Sequence, residues 1–302
     1  MEGIVKSFFL WKPLDRSLLL EALTKVVVFD PSLENFQNEL LEKTIKSGIY
    51  QQFHIHPESK SFFFQTLLSF LEKFKVDILD EFYESAVPIS ASESGIYFKS
   101  YFDKNGVHLC SLLETKTFVS HGTTGLKTWP AAEYLFGYFQ ENKILAMPQK
   151  VLEIGSGGTG FLGIACLKKK LHISEWIFTD HSEAVLESLK ENVTYNKLQA
   201  STWKISKLDW EEEQTVECDY DIIVGSDIVF DVRIIDGLSR TLKRLMRKGQ
   251  KTIIANVERN TATKDEFESS LTRNGLDFTL QRNVFNDNTM LLYQIEMQEI
   301  DN

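Results

Sequence analysis

An apolar strand running straight into glycines is the strongest chemical signal in this chain. Val151-Leu-Glu-Ile-Gly155-Ser-Gly157-Gly-Thr-Gly160 has that form, and a helical pattern follows it near 160–170. Glycine permits a tight turn and lets the backbone approach a ligand with no Cβ in the way, so the loop reads as a cradle for a nucleotide-like cofactor. Gly155, Gly157 and Gly160 also satisfy the dinucleotide spacing G-x-G-x-x-G, with Asp180 closing the next strand about where a ribose-binding acid belongs. Two features favour S-adenosylmethionine over a nicotinamide dinucleotide. Glu153, two residues before Gly155, brings a carboxylate that suits the cationic methionine end of that cofactor and would repel a pyrophosphate. The loop also starts well into the chain, after a segment containing Trp129. A purely structural turn is the plainer alternative, and the joint occurrence of Glu153, Gly155, Gly157 and Asp180 weighs against it.

Three further strand ends carry polar groups. Asp180, closing Trp176-Ile-Phe-Thr-Asp180, is an acceptor-only group suited to both ribose hydroxyls. It could equally cap the helix that Ser182 and Glu183 announce. Lys207-Leu-Asp209-Trp210 ends the next strand; the acid can read an adenine amino edge and Trp210 can offer a flat face, or the indole can simply cover the core. Tyr220-Asp-Ile-Ile-Val-Gly225-Ser226-Asp227-Ile-Val-Phe230 ends in Ser226 and Asp227. Ligands of open α/β sheets bind at the carboxyl ends of strands, so these two should border the cofactor and the reacting centre. The alternative for Asp227 is a cap on the helix starting near Arg233.

The elements that must position these groups alternate. Strand-like runs at Val151 to Ile154, Trp176 to Thr179, Trp203 to Leu208, Tyr220 to Val224 and Lys251 to Val257 are separated by amphipathic stretches near 160–170, 182–196, 232–248 and 262–274. That alternation predicts an α/β fold with a mainly parallel sheet covered on both faces. Phe278 to Phe285 and Met290 to Glu296 have no helix between them and should form an antiparallel hairpin at the sheet edge. Upstream, apolar residues recur at helical spacing from about residue 15 to 87, with Pro31, Pro57 and Pro88 falling between the periodic stretches. A β-hairpin is expected from Ile96 to Tyr101 and Val107 to Leu113 around Asp103-Lys-Asn-Gly106. The expected organisation is a small helical N-terminal region over 1–92, a hairpin and connecting segment over 93–128, and the cofactor-binding domain over 129–302.

Composition limits the partners. The 302 residues carry 33 Lys plus Arg against 43 Asp plus Glu, a net charge of −10, which argues against direct binding to a long nucleic acid. Cys110, Cys166 and Cys218 are too few and too scattered for a disulfide framework or a metal site, and His54 with His56 lacks further ligands, so no metal is expected. The short apolar run Ser7-Phe-Phe-Leu-Trp11 fits neither a signal peptide nor a spanning helix; no membrane partner and a cytoplasmic location are expected.

Taken together, Gly122-Thr-Thr-Gly-Leu-Lys-Thr-Trp129-Pro-Ala-Ala, Glu153-Ile-Gly-Ser-Gly157, Leu208-Asp-Trp210 and Ser226-Asp227 resemble the seven-stranded protein-lysine methyltransferases. Ser120-His-Gly-Thr-Thr-Gly-Leu-x-Thr-Trp129, Leu208-Asp-Trp-Glu211 and the helical N-terminal extension are most similar to the members acting on eukaryotic elongation factor 2. The resemblance implies a Rossmann-like seven-stranded sheet, S-adenosylmethionine as cofactor with S-adenosylhomocysteine as product, a protein substrate, and a cytoplasmic monomer. It also implies that Trp129, Gly155, Ser156, Gly157, Asp180, Trp210 and Ser226 line the cofactor site, to which the residue reading adds Glu153. Two departures stand out. The glycine loop is one residue longer than the family's usual form, so the correspondence is carried no further than Gly157. The acid-x-x-Tyr motif reads Asp227-Ile-Val-Phe230, so no role needing a phenol carries over.

Methyl transfer to an amine needs mostly alignment and a deprotonated lysine, which leads to the expectation that Asp227 orients the incoming ammonium while water removes the proton. The N-terminal helices and hairpin are expected to recognise the substrate. A methyltransferase acting on another protein, RNA or a small molecule, or a nicotinamide oxidoreductase, would share the loop. The base-amine motif Asn/Asp-Pro-Pro-Tyr is missing at 227–230.

Overall fold

A computed structural model of the protein describes residues 1–88, 96–115, 125–142, 144, 147–213, 216 and 219–298. The chain divides into two compact units, Met1–Leu113 and Glu114–Asn302. The Ser120–Thr124 part of the motif and Cys218 lie outside the described residues; Cys110 is buried, and Cys166 is a buried free thiol.

The first unit holds helices α1 (Glu2–Phe9), α2 (Arg16–Val27), α3 (Glu34–Lys43), α4 (Gly48–Gln52), α5 (Pro57–Phe74) and α6 (Asp80–Ala86), followed by strands β1 (Phe98–Phe102) and β2 (His108–Leu113). Local chemistry sets several boundaries. Asp15 accepts from the Ser17 and Leu18 amides to start α2, and Pro57 opens α5 where its missing N–H costs nothing. Phenylalanines build the core of this unit: Phe8 meets Phe63 and Phe64 edge-on at centroid distances of 5.0 and 6.0 Å, and Phe64 meets Phe82 at 5.3 Å. Periodicity from residue 15 onward missed α1, which carries most of the Ser7–Trp11 run and buries Phe8 and Phe9 in this core. In the hairpin only Gly106 takes a positive φ (+75°), and the Asp103 carboxylate accepts from the Asn105 and Val107 amides. The turn is therefore built on Asp103 as well as on glycine. His54 and His56 pack on aromatic rings, and no metal-binding cluster occurs among the described residues.

The second unit contains α7 (Pro130–Asn142), β3 (Gln149–Glu153), α8 (Phe161–Lys168), β4 (Ile173–Asp180), α9 (Glu183–Tyr195), β5 (Trp203–Lys207), β6 (Ile222–Ser226), α10 (Ile235–Leu245), β7 (Lys251–Val257), α11 (Thr261–Arg273), β8 (Leu276–Phe285) and β9 (Asn288–Met297). Its seven strands run in the order β5-β4-β3-β6-β7-β9-β8. Strands β3 to β7 pair in parallel, and β9 lies antiparallel between β7 and β8. The chain steps outward from β3 through β4 to β5 and then returns to β6 on the other side, so a topological switch falls between β3 and β6. Both faces are covered. Leu152, Ile177, Ile223 and Ile254 share a core with Leu238 and Leu242 of α10 and Phe267 of α11. The alternate β4 residues Trp176 and Phe178 reach Gly163 of α8, where a Cβ would collide with both rings. Central strands buried on both sides need near-continuous apolar runs, which is why β3 and β6 were legible without alternation.

No helix among the described residues is long and apolar enough to cross a membrane. The helical glycines give a test of the packing with opposite signs. Gly163→Ala should cost about 1–3 kcal/mol by overpacking against Trp176 and Phe178. Gly137→Ala in α7 meets open space and should gain about 0.5–1 kcal/mol. Urea midpoints of the two variants check the pair.

Candidate active site

The carboxyl ends of β3, β4, β5 and β6 open on one cavity of about 350 Å³ at the switch point, and Trp129, Glu153, Gly155, Ser156, Gly157, Asp180, Trp210, Ser226 and Asp227 all line it. The sequence reading thus selected residues from distant positions that the fold brings together. Glycine is required at Gly155 and Gly157 for two reasons. Both take positive φ (+65° and +64°), and added Cβ atoms would lie 2.7 Å from Ile228 and 2.9 Å from the Gly125 carbonyl oxygen. The Gly158 amide donates to that same Gly125 oxygen at 2.7 Å, tying the loop to the segment before α7. That segment is itself clasped: the Glu114 carboxylate accepts from the Thr128 hydroxyl at 2.8 Å and amide at 3.2 Å.

Ser156 stitches β3 to β4. Its amide donates to the Thr179 carbonyl at 2.8 Å and its hydroxyl accepts from the Thr179 amide at 3.1 Å. Asp180 lines the cavity and does not itself cap α9. One carboxylate oxygen accepts from the Gly157 amide and the other from the Ser182 amide, each at 3.2 Å. The position starting α9 is Ser182, so Asp180 shapes the approach to the helix and still faces the cavity with acceptor capacity to spare. His181 lies 3.4 Å from Asp180, whose hydrogen bond raises the imidazole pKa. Trp210 likewise serves twice: its ring stands against Gly155 in the cavity wall and packs on the sheet core.

Glu153 differs most from a free carboxylate. It is 1% exposed, and burial pushes its pKa up to about 8 despite a 2.8 Å bond from the Trp176 indole. That shift favours the protonated form of Glu153 near neutral pH.

Asp227 lines the cavity as expected and is bonded on three sides. Its backbone sits at φ +53°, and its 1% exposed carboxylate accepts from the Ala131 amide at 3.2 Å, the Val257 amide at 3.0 Å and Arg259 Nη1 at 2.9 Å. The cap near Arg233 is supplied by Asp231, while Asp227 binds the first turn of α7, nearly a hundred positions away in sequence. Chain distance hid that partner. Arg259 was missed for the same reason, as was its stacking over Trp129 at 5.2 Å; no local pattern marks either. Phe230, 52% exposed, lines the cavity where the acid-x-x-Tyr pattern would present a phenol.

Glu153 yields a pH test. In the unfolded chain its carboxyl returns to the ordinary value of 4.5, below the value of about 8 in the fold. Its stabilising contribution is full below the unfolded pKa and is lost as pH rises through the folded one. Glu153→Gln keeps an acceptor for the indole but cannot ionise. Its melting temperature relative to the parent should climb from about pH 5 to about pH 8; a difference flat with pH would contradict the buried acid.

The lysine methyltransferase family profile matches residues 112–274. The human protein-lysine N-methyltransferase EEF2KMT is 30% identical over 274 residues, covering 83% of this chain and 81% of that protein. The Chaetomium thermophilum protein-lysine N-methyltransferase EFM3 is 38% identical over 181 residues, covering 56% of this chain and 53%, about half, of that protein. Among solved structures, the glycopeptide N-methyltransferase MtfA with sinefungin aligns over 60% of this chain and 91% of its own at 14% identity and a TM-score of 0.47. A profile spanning the whole cavity-forming region and a relative similar across most of both chains lead to one conclusion: the chain belongs to the lysine methyltransferase family, as an S-adenosylmethionine-dependent protein-lysine N-methyltransferase.

Proposed function

We propose that the protein methylates a lysine of eukaryotic elongation factor 2, using the switch-point cavity to hold S-adenosylmethionine. The observation that carries the cofactor part is the cavity itself, where two glycines clear space at the end of β3 and Asp180 keeps unused acceptor capacity. The substrate part is supported by similarity to EEF2KMT over most of the chain.

In this proposal Gly155, Ser156 and Gly157 cradle the cofactor, Asp180 receives its ribose hydroxyls, and Trp129, Trp210 and Ser226 complete the walls. When bound, S-adenosylmethionine supplies an electrophilic methyl group on a sulfonium. Its positive charge near Glu153 would favour the ionised form of that buried carboxyl. Asp227 acts through position: its oxygens already serve two amides and a guanidinium, so it anchors α7 and β7 around the cavity in place of gripping an ammonium alone. An incoming lysine with a free pKa of about 10.4 must arrive neutral, and the apolar surface of Ile228, Phe230 and Ile234 favours that form. Phe230 offers a ring face without a hydroxyl. Recognition of the protein substrate is assigned to the first unit, where Phe29 and Phe62 are 89% and 56% exposed.

Incubation with labelled S-adenosylmethionine should label purified elongation factor 2 and leave elongation factor 1A unlabelled; the reverse would refute the substrate assignment. Asp180→Ala should raise the Kd for S-adenosylhomocysteine at least about tenfold by removing charge-assisted bonds. Phe29→Ser with Phe62→Ser should raise KM for the protein substrate severalfold while leaving that Kd unchanged.

A further inference from the structure

Arg259 follows the end of β7 and is not among the residues lining the large cavity, yet it touches two that are. Its Nη1 donates to Asp227 at 2.9 Å, and its guanidinium lies 5.2 Å from the centre of the Trp129 ring. Behind the wall it borders a second cavity of about 40 Å³ that Phe230 also lines. We propose that Arg259 is a positioning residue that fixes the Trp129 ring and the Asp227 carboxylate as one wall of the cofactor cavity. The proposal rests on the cavity being the S-adenosylmethionine site.

The charge balance explains why an arginine is needed. Asp227 is buried, and among the described residues Arg259 is its one ion-pair partner. A buried carboxylate that loses its partner is strongly unfavourable, so without Arg259 the Asp227 side chain would have to turn toward water or take up a proton. Either change loosens the Ala131 and Val257 amides that it now holds, and with them the start of α7 and the end of β7. Trp129 immediately precedes α7, so its ring moves with that first turn. A planar guanidinium can bond a carboxylate and stack on an indole at once, which a lysine ammonium cannot do in the same way. Lys127, 5.6 Å from the same ring, approaches the indole but makes no ion pair with Asp227.

The test is titration of the full-length protein with S-adenosylhomocysteine, alongside melting temperatures without ligand. Arg259→Met should raise Kd about tenfold or more, and Arg259→Lys should recover part of the loss. In an Asp227→Asn background, where no charge needs neutralising, Arg259→Met should add less than about threefold. That double variant also keeps the test readable if Arg259→Met alone folds poorly. A lower melting temperature with parental Kd, or full additivity of the two substitutions, would overturn the positioning role. A parent protein that does not bind S-adenosylhomocysteine would instead overturn the cofactor reading.

Discussion

A carboxylate taken out of water must be neutralised, and the cavity of this protein is organised around two that are. Glu153, at the end of β3, is neutralised by keeping its proton. Asp227, at the end of β6, is neutralised by Arg259 and by two backbone amides. These strands are the neighbours between which the sheet topology reverses, so the two acids stand on either side of the crevice that the topology opens. Each solution has a structural consequence. The protonated acid adds no negative charge at the end of β3, and the ion-paired acid joins α7, β6 and β7 at one point.

The glycine loop is the counterpart of that rigidity. Gly155 and Gly157 remove side-chain bulk where Ile228 and the Gly125 carbonyl come close, and the amides freed by the turn are partly taken up by Asp180 and Gly125. Ser156 binds β3 to β4 through Thr179, so the loop is bonded on both flanks. Preorganisation of this kind suits a reaction that asks for alignment more than for covalent chemistry.

Much of this was legible in the sequence because it depends on neighbours along the chain. Strands buried on both faces show as apolar runs, helices as 3.6-residue periodicity, and a strand entering Gly155-Ser-Gly157 as a cradle; all three are local patterns. Asp180 was legible as well, since its partners Gly157 and Ser182 lie one element away or less. Helix α1 was not, because eight residues give too few turns for periodicity to stand out and its Phe8 and Phe9 find their partners on α5 and β1.

The sequence by itself therefore determined the alternating α/β architecture, the antiparallel pair at the sheet edge and the identity of several residues lining the cavity. Tertiary structure alone decided what those residues are chemically. Burial turned Glu153 from a carboxylate into a neutral acid, and the packing of α7 against the sheet gave Asp227 to Ala131 in place of the helix after it. It also set Arg259 against both Asp227 and Trp129. Protonation state and ion pairing depend on distance and desolvation in three dimensions, and neither leaves a periodic trace along a chain.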